Sequence, residues 1–213
     1  MTSTILIAAI IGLVKWKKVK KINHLFIVFV YCSAINETLS YISTYLFKNN
    51  AVNSNIYLLI SAIVLLFQFN NWYTFKYKKK SVYFITLILL SIWFYEFFLI
   101  TQIWKFSSYF RIISAFIIVL LSLRTISLLI NSNQLTLIMN STFIICIALI
   151  LFYTVKILLE IFFIYALPIN NFLGNSFYRL IFNILILTNI MYALAIIFMP
   201  LKPKYILQQL ETT

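Results

Sequence analysis

A chain of 213 residues that is 63% hydrophobic and 10% charged, with a mean hydropathy of +1.01, lies far outside soluble domains, which run at roughly 45–50% apolar and about 25% charged. The net charge of +13 sits on Lys and Arg at the ends of apolar runs, where membrane orientation and anionic lipid headgroups account for it. Only the basic runs 15–21 and 76–80 could contact phosphate, so nucleic acid is not an expected partner.

Against a span of about 20 apolar residues for a hydrocarbon core of about 30 Å, residues 1–213 form a single transmembrane domain with seven apolar segments. The first, 4–14, is short. The others cover about 22–47, 55–75, 81–101, 110–130, 135–167 and 172–199. With two glycines and three prolines in the chain, these should be continuous α-helices, because β-barrel spans are nearer ten residues with alternating polarity. Pro168 and Gly174 fall between segments six and seven, where a helix break is wanted. The expected fold is therefore an all-α integral membrane protein, a bundle of seven transmembrane helices.

Twelve bases collect on one side: Lys15, Lys17, Lys18, Lys20, Lys21, Lys76, Lys78, Lys79, Lys80, Arg124, Lys202 and Lys204. Lys48, Lys105, Arg111 and Arg179 fall on the other, and Lys156 lies within a span. The positive-inside rule then predicts the N-terminus outside and the C-terminus inside. Segment one rises only about 17 Å as a helix and needs Thr2, Thr4, Trp16 or snorkelling Lys15 to complete a crossing. A cleaved signal peptide would carry its bases before the apolar stretch, whereas here they follow, so a retained span is expected.

Soluble-enzyme chemistry lacks its residues. Cys32 and Cys146 both lie within spans, His24 is the one histidine, and there is no aspartate, so no metal, cofactor or Ser-His-Asp triad is expected. What stands out instead is charge inside the spans. Glu37, Glu96 and Glu160 are three of four acids, and each falls within a predicted helix, where an ionisable group costs a few kcal/mol or more unless paired or hydrated. Position within each run puts all three in the outer half of the bilayer, with Arg111 and Arg179 at similar depth. Lys156 lies four residues before Glu160 and is expected to pair with it.

Two interpretations of this convergence compete. The charges select one packing of otherwise slippery helices, or they line a polar cavity open to the outer face. A second polar set, Gln68, Asn70, Asn71, Asn183 and Asn189, is expected to bond between helices. Trp16, Trp72 and Trp104 fall near predicted interfaces as an aromatic belt, with Trp93 deeper.

A retinal-binding rhodopsin needs a lysine in its last helix, and segment seven has none. Matched interrupted helices of a repeat-built transporter are not seen. The stretch I-A-A-I-I-G-L-V-K-W-K-K-V-K-K from Ile7 to Lys21, N-E-x-L-S-Y-I-S-x-Y-L from Asn36 to Leu46, and N-I-Y-L-L-I from Asn55 resemble uncharacterised small polytopic inner-membrane proteins of Bacteroidota. That resemblance implies a multi-pass protein of a bacterial inner membrane and carries no activity or site across.

Three function classes follow. The leading one is a non-enzymatic module that receives something in its outer-half cavity and passes a helix shift to a protein partner or a second copy, with a kinase or an antiviral defence component as the kind of partner. The second is a small ion or solute channel or transporter using the intramembrane glutamates. The third is an intramembrane enzyme that modifies lipid with a glutamate as base.

Overall fold

The structure, a computed structural model, describes residues 4–72, 74, 80–100, 105–131, 139–164 and 171–201. Lys76, Lys78, Lys79, Trp104, Pro168, Lys202 and Lys204 lie outside them. Helices occupy nearly all of the described chain: α1 (Thr4–Lys15), α2 (His24–Phe47), α3 (Ala51–Asn71), α4 (Lys80–Phe94), α5 (Ser108–Asn131), α6 (Ser141–Ile164) and α7 (Asn171–Phe198). A 3-10 turn, Lys21–Asn23, leads into α2, and a π-helical turn, Tyr95–Ile100, prolongs α4. No strand occurs among the described residues; Val19 and Leu201 form an isolated antiparallel bridge.

Six helices are long and apolar enough to cross a membrane, and α1 is a shorter apolar helix of 12 residues. Their outer surfaces carry large apolar side chains with nothing to cover them: Leu13, Val14, Tyr45 and Leu99 are each at least 65% exposed. Water would penalise such a surface, and lipid would not. The chain is therefore an all-helical, multi-pass membrane bundle.

Packing follows residue size. In α1 the residues Ile5, Ala8, Ala9 and Gly12 are buried and recur at helical spacing, while Leu6, Ile10 and Leu13 face outward. That small-residue face lies against α2 and α7. A Cβ on Gly12 would stand 3.0 Å from Ile27 Cγ2 and 3.4 Å from the Tyr31 hydroxyl, so a larger residue here would have to push those α2 side chains aside. Phe26, Phe29 and Tyr192 form an edge-to-face cluster between α2 and α7.

Helix ends depart from the hydropathy reading for local reasons. Segment three begins at Ala51, ahead of the expected position 55, because Asn49 Oδ1 accepts from Ala51 N–H at 2.8 Å and closes the turn. Lys48 takes the left-handed conformation, φ 51°, and its N–H bonds Thr44 O, which reverses the chain in three residues. The expected start of segment six at 135 lies outside the described residues; α6 is described from Ser141, where Asn140 Oδ1 accepts from Thr142 N–H at 2.9 Å. Gly174 does not break the chain between segments six and seven either. It lies inside α7, where a glycine costs about 1 kcal/mol relative to alanine, less than a long apolar run recovers by packing. Segment four is not a continuous α-helix, since it widens into the π turn at Tyr95 and buries Glu96 and Phe97 while Phe94, Tyr95 and Phe98 remain outward.

One end of the bundle gathers the basic residues. Lys15 Nζ donates to Ile197 O at 2.6 Å, Lys20 N–H to Pro200 O at 3.2 Å, and Trp72 Nε1 to Asn23 Oδ1 at 2.9 Å. Gln68, fully buried, accepts from Phe26 N–H at 2.8 Å and donates to Ile22 O at 2.8 Å, so it satisfies an N-terminal amide of α2 from a neighbouring helix. The intramembrane charges lie toward the opposite end.

Candidate functional site

The site starts from Asn55, which the early start of α3 places in the second turn of that helix. Its buried amide accepts from Ser107 N–H at 3.2 Å and donates to Lys105 O at 2.9 Å, which fixes the chain entering α5. Its backbone carbonyl accepts from Trp93 Nε1 at 3.1 Å, tying α4 to the same point. Trp93 is thus an interhelical strut and not part of an interfacial belt. Glu96, brought inward by the π turn, accepts from Tyr109 N–H at 3.0 Å and Phe110 N–H at 2.6 Å. A carboxylate there answers both the orphan amides and the positive dipole end of α5.

Capping α5 in this way sets Arg111, one residue further on. Its Nη1 pairs with Glu160 Oε1 at 3.1 Å, and its Nη2 donates to Ser54 Oγ at 2.8 Å and Asn55 Oδ1 at 3.4 Å. The guanidinium also lies over the Phe106 ring, 4.5 Å from its centroid. The second oxygen of Glu160 accepts from Ser108 Oγ at 2.8 Å. Arg111–Glu160 is the one salt bridge among the described residues, and both side chains are buried. Glu160 therefore does not pair with Lys156, the expectation from their spacing of four. The forked guanidinium from α5 meets the carboxylate and takes it, which a flexible ammonium on the same helix does less well. The Lys156 ammonium rests against the Phe152 and Tyr153 rings instead, 5.5 and 5.9 Å from their centroids.

Beside this network is a cavity of about 320 Å³. Its charged walls are Glu37 from α2, Arg111 from α5 and Lys156 from α6. Ser33 and Asn36 of α2, Ser54 and Tyr57 of α3, and Thr188, Asn189 and Tyr192 of α7 add hydroxyls and amides. Ile5 of α1, Phe29, Phe152 and Leu185 supply the apolar part. Six of the seven helices contribute, and α4 does not. Ser33 and Tyr57 share a hydrogen bond of 2.7 Å across α2 and α3. Tyr192 Oη and Arg111 Nε are buried with no hydrogen-bond partner.

Of the six charged residues grouped by depth, three line this cavity, Glu160 stands behind Arg111, and Glu96 caps α5 alongside. Arg179 lies elsewhere: it is exposed, on an open groove of α7 shared with Asn183. Of the amides expected between helices, Gln68 bridges to α2, and Asn189 donates to Thr4 Oγ1 of α1 at 2.9 Å. Asn183 faces outward, and Asn70 and Asn71 sit half-buried at the end of α3. The residues missed from the sequence are Ser54, Asn55, Ser108, Tyr57 and Tyr192. Only Asn55 carried a signal, being an amide followed by an uninterrupted apolar run.

Among the described residues no group of three or more His, Cys, Asp or Glu could hold a metal ion. The fold and site together define a polytopic helical membrane protein with a charged cavity between its helices. No family model, no curated protein and no solved structure matches the chain.

Proposed function

We propose that this chain is a non-enzymatic membrane module of a bacterial inner membrane, N-terminus outside and C-terminus inside, that takes a small molecule into the cavity and passes the resulting helix shift to a protein partner. The observation that carries it is the wall itself. An occupant touching α1, α2, α3, α5, α6 and α7 at once couples its binding energy to the packing of the whole bundle. The stretches between successive helices, at most the nine residues 132–140, are too short to hold an effector domain, which favours passing the shift to a partner. A kinase or an antiviral defence component would be a partner of this kind.

Transport by the same cavity is the second reading, favoured by Glu37 and Lys156 facing it from different helices. Lipid modification with Glu96 as base has less behind it, since both carboxylate oxygens are engaged by backbone amides of α5. One experiment separates the first two. The full chain, with Cys32 and Cys146 changed to Ala and the half-buried wall residue Ser33 changed to Cys, is reconstituted in liposomes and exposed to a membrane-impermeant maleimide from either side. Labelling from the outer side alone, without solute flux, supports the module. Labelling from both sides with flux that Glu37→Gln abolishes favours transport, and no labelling from either side refutes both.

A further inference from the structure

We infer that the cavity is built for a small organic anion, a carboxylate or phosphate head on a short apolar body. This rests on the reading of the cavity as a ligand site and names what it takes. Three of its lining side chains, Lys156, Arg111 and Tyr192, hold donors that lack an acceptor. Lys156 carries three N–H donors and touches only ring faces, with no carboxylate within 4 Å among the described residues. Arg111 has spent both terminal nitrogens on Glu160, Ser54 and Asn55, yet its Nε–H is buried without a partner. The Tyr192 hydroxyl, on a side chain 4% exposed, also has none.

Buried donors without acceptors are costly, and a half-buried ammonium without a counter-charge adds to that cost. A neutral ligand or water could satisfy the hydroxyl, but the ammonium is best answered by a negative charge, because a charge-assisted bond is about twice as strong as a neutral one. A sphere of the cavity's volume is about 8–9 Å across, room for one head group beside Lys156 among side chains of α5, α6 and α7. The rest of the molecule then lies against Phe29, Phe152 and Leu185. Tyr57 and Ser33 satisfy each other and leave the anion to the other side of the chamber. The head group can come from a soluble metabolite or from an anionic lipid, and the chemistry is shared.

The test uses the full chain in nanodiscs of phosphatidylcholine, with binding of butyrate, butyl phosphate and uncharged butyramide measured by calorimetry and melting temperature. A parallel set of discs contains phosphatidylglycerol and no soluble probe. The expected result is at least tenfold tighter binding of butyrate or butyl phosphate than of butyramide, weakened tenfold or more by Lys156→Gln, largely kept by Lys156→Arg, and weakened a few-fold by Tyr192→Phe. Stabilisation by phosphatidylglycerol alone, lost in Lys156→Gln, supports the same chemistry with lipid as the source. Butyramide binding as tightly as butyrate overturns the anion inference while leaving the cavity a ligand site. Should no probe and no lipid shift the melting temperature, the inference and the ligand-site reading fall together. The wild-type comparison of butyrate with butyramide decides the matter even if a variant fails to fold.

Discussion

Replacing Glu160 with Gln separates a structural ion pair from an ordinary interhelical hydrogen bond. Glu160 accepts from Arg111 Nη1 at 3.1 Å and Ser108 Oγ at 2.8 Å, and the paired side chains are 10% and 8% exposed. Between neutral groups in a membrane such contacts contribute about 0.6 kcal/mol each. Removing one partner of a buried ion pair costs about 3–5 kcal/mol, because the remaining charge is stranded. The amide keeps the shape and an acceptor oxygen, so the lower end applies, about 3 kcal/mol, or roughly a hundredfold in the folding equilibrium. Reversible unfolding in mixed detergent and SDS micelles, followed by tryptophan fluorescence, reads this directly. The double variant Arg111→Met with Glu160→Leu should recover most of the loss, since no charge is left stranded. A loss under about 1 kcal/mol for E160Q, with no recovery in the double variant, would refute the reasoning and leave the contact an ordinary interhelical hydrogen bond.

Three further outcomes follow from the packing. Gly12→Leu drives a side chain into Ile27 Cγ2, already 3.0 Å from the Cβ position, and should destabilise by about 1–3 kcal/mol; wild-type stability would mean that α1 can move aside freely. Gln68→Leu leaves Phe26 N–H without its acceptor, a loss of about 1–3 kcal/mol, and amide exchange at Phe26 should accelerate, whereas unchanged exchange would show that the bond is dispensable. Glu96→Ala uncaps α5 at Tyr109 and Phe110, at about 1–2 kcal/mol. Glu96→Gln should cost less, and equal exchange rates at those two amides in both variants would contradict the capping role.

The helical character of the chain and the grouping of Glu37, Arg111 and Lys156 were legible because burial depth in a membrane is nearly a linear function of position along an apolar run. Depth says nothing about azimuth, so Arg179 was grouped with residues it faces away from. Pairing was misjudged for a related reason. A spacing of four on one helix is visible in sequence, while the approach of α5 to α6 that hands Glu160 to Arg111 is a tertiary fact. Hydropathy also cannot see caps: Asn140 and Asn49 decide where α6 and α3 begin, and a polar side chain closing a turn looks the same to an averaging window as a polar loop residue. The π turn had no periodicity signal, since the six residues from Tyr95 to Ile100 are too few to show a changed period.

Helix α4 stands outside the chamber, yet its polar links to the rest of the bundle, Trp93 to the Asn55 carbonyl and Glu96 to the first amides of α5, both lie at one end and both engage residues that hold Arg111. A force applied along α4 by lipid or by another protein would thus be handed to Asn55 and to the first turn of α5, the two places that position the Arg111 guanidinium. A helix with no share in the chamber wall is thereby joined to its charged side.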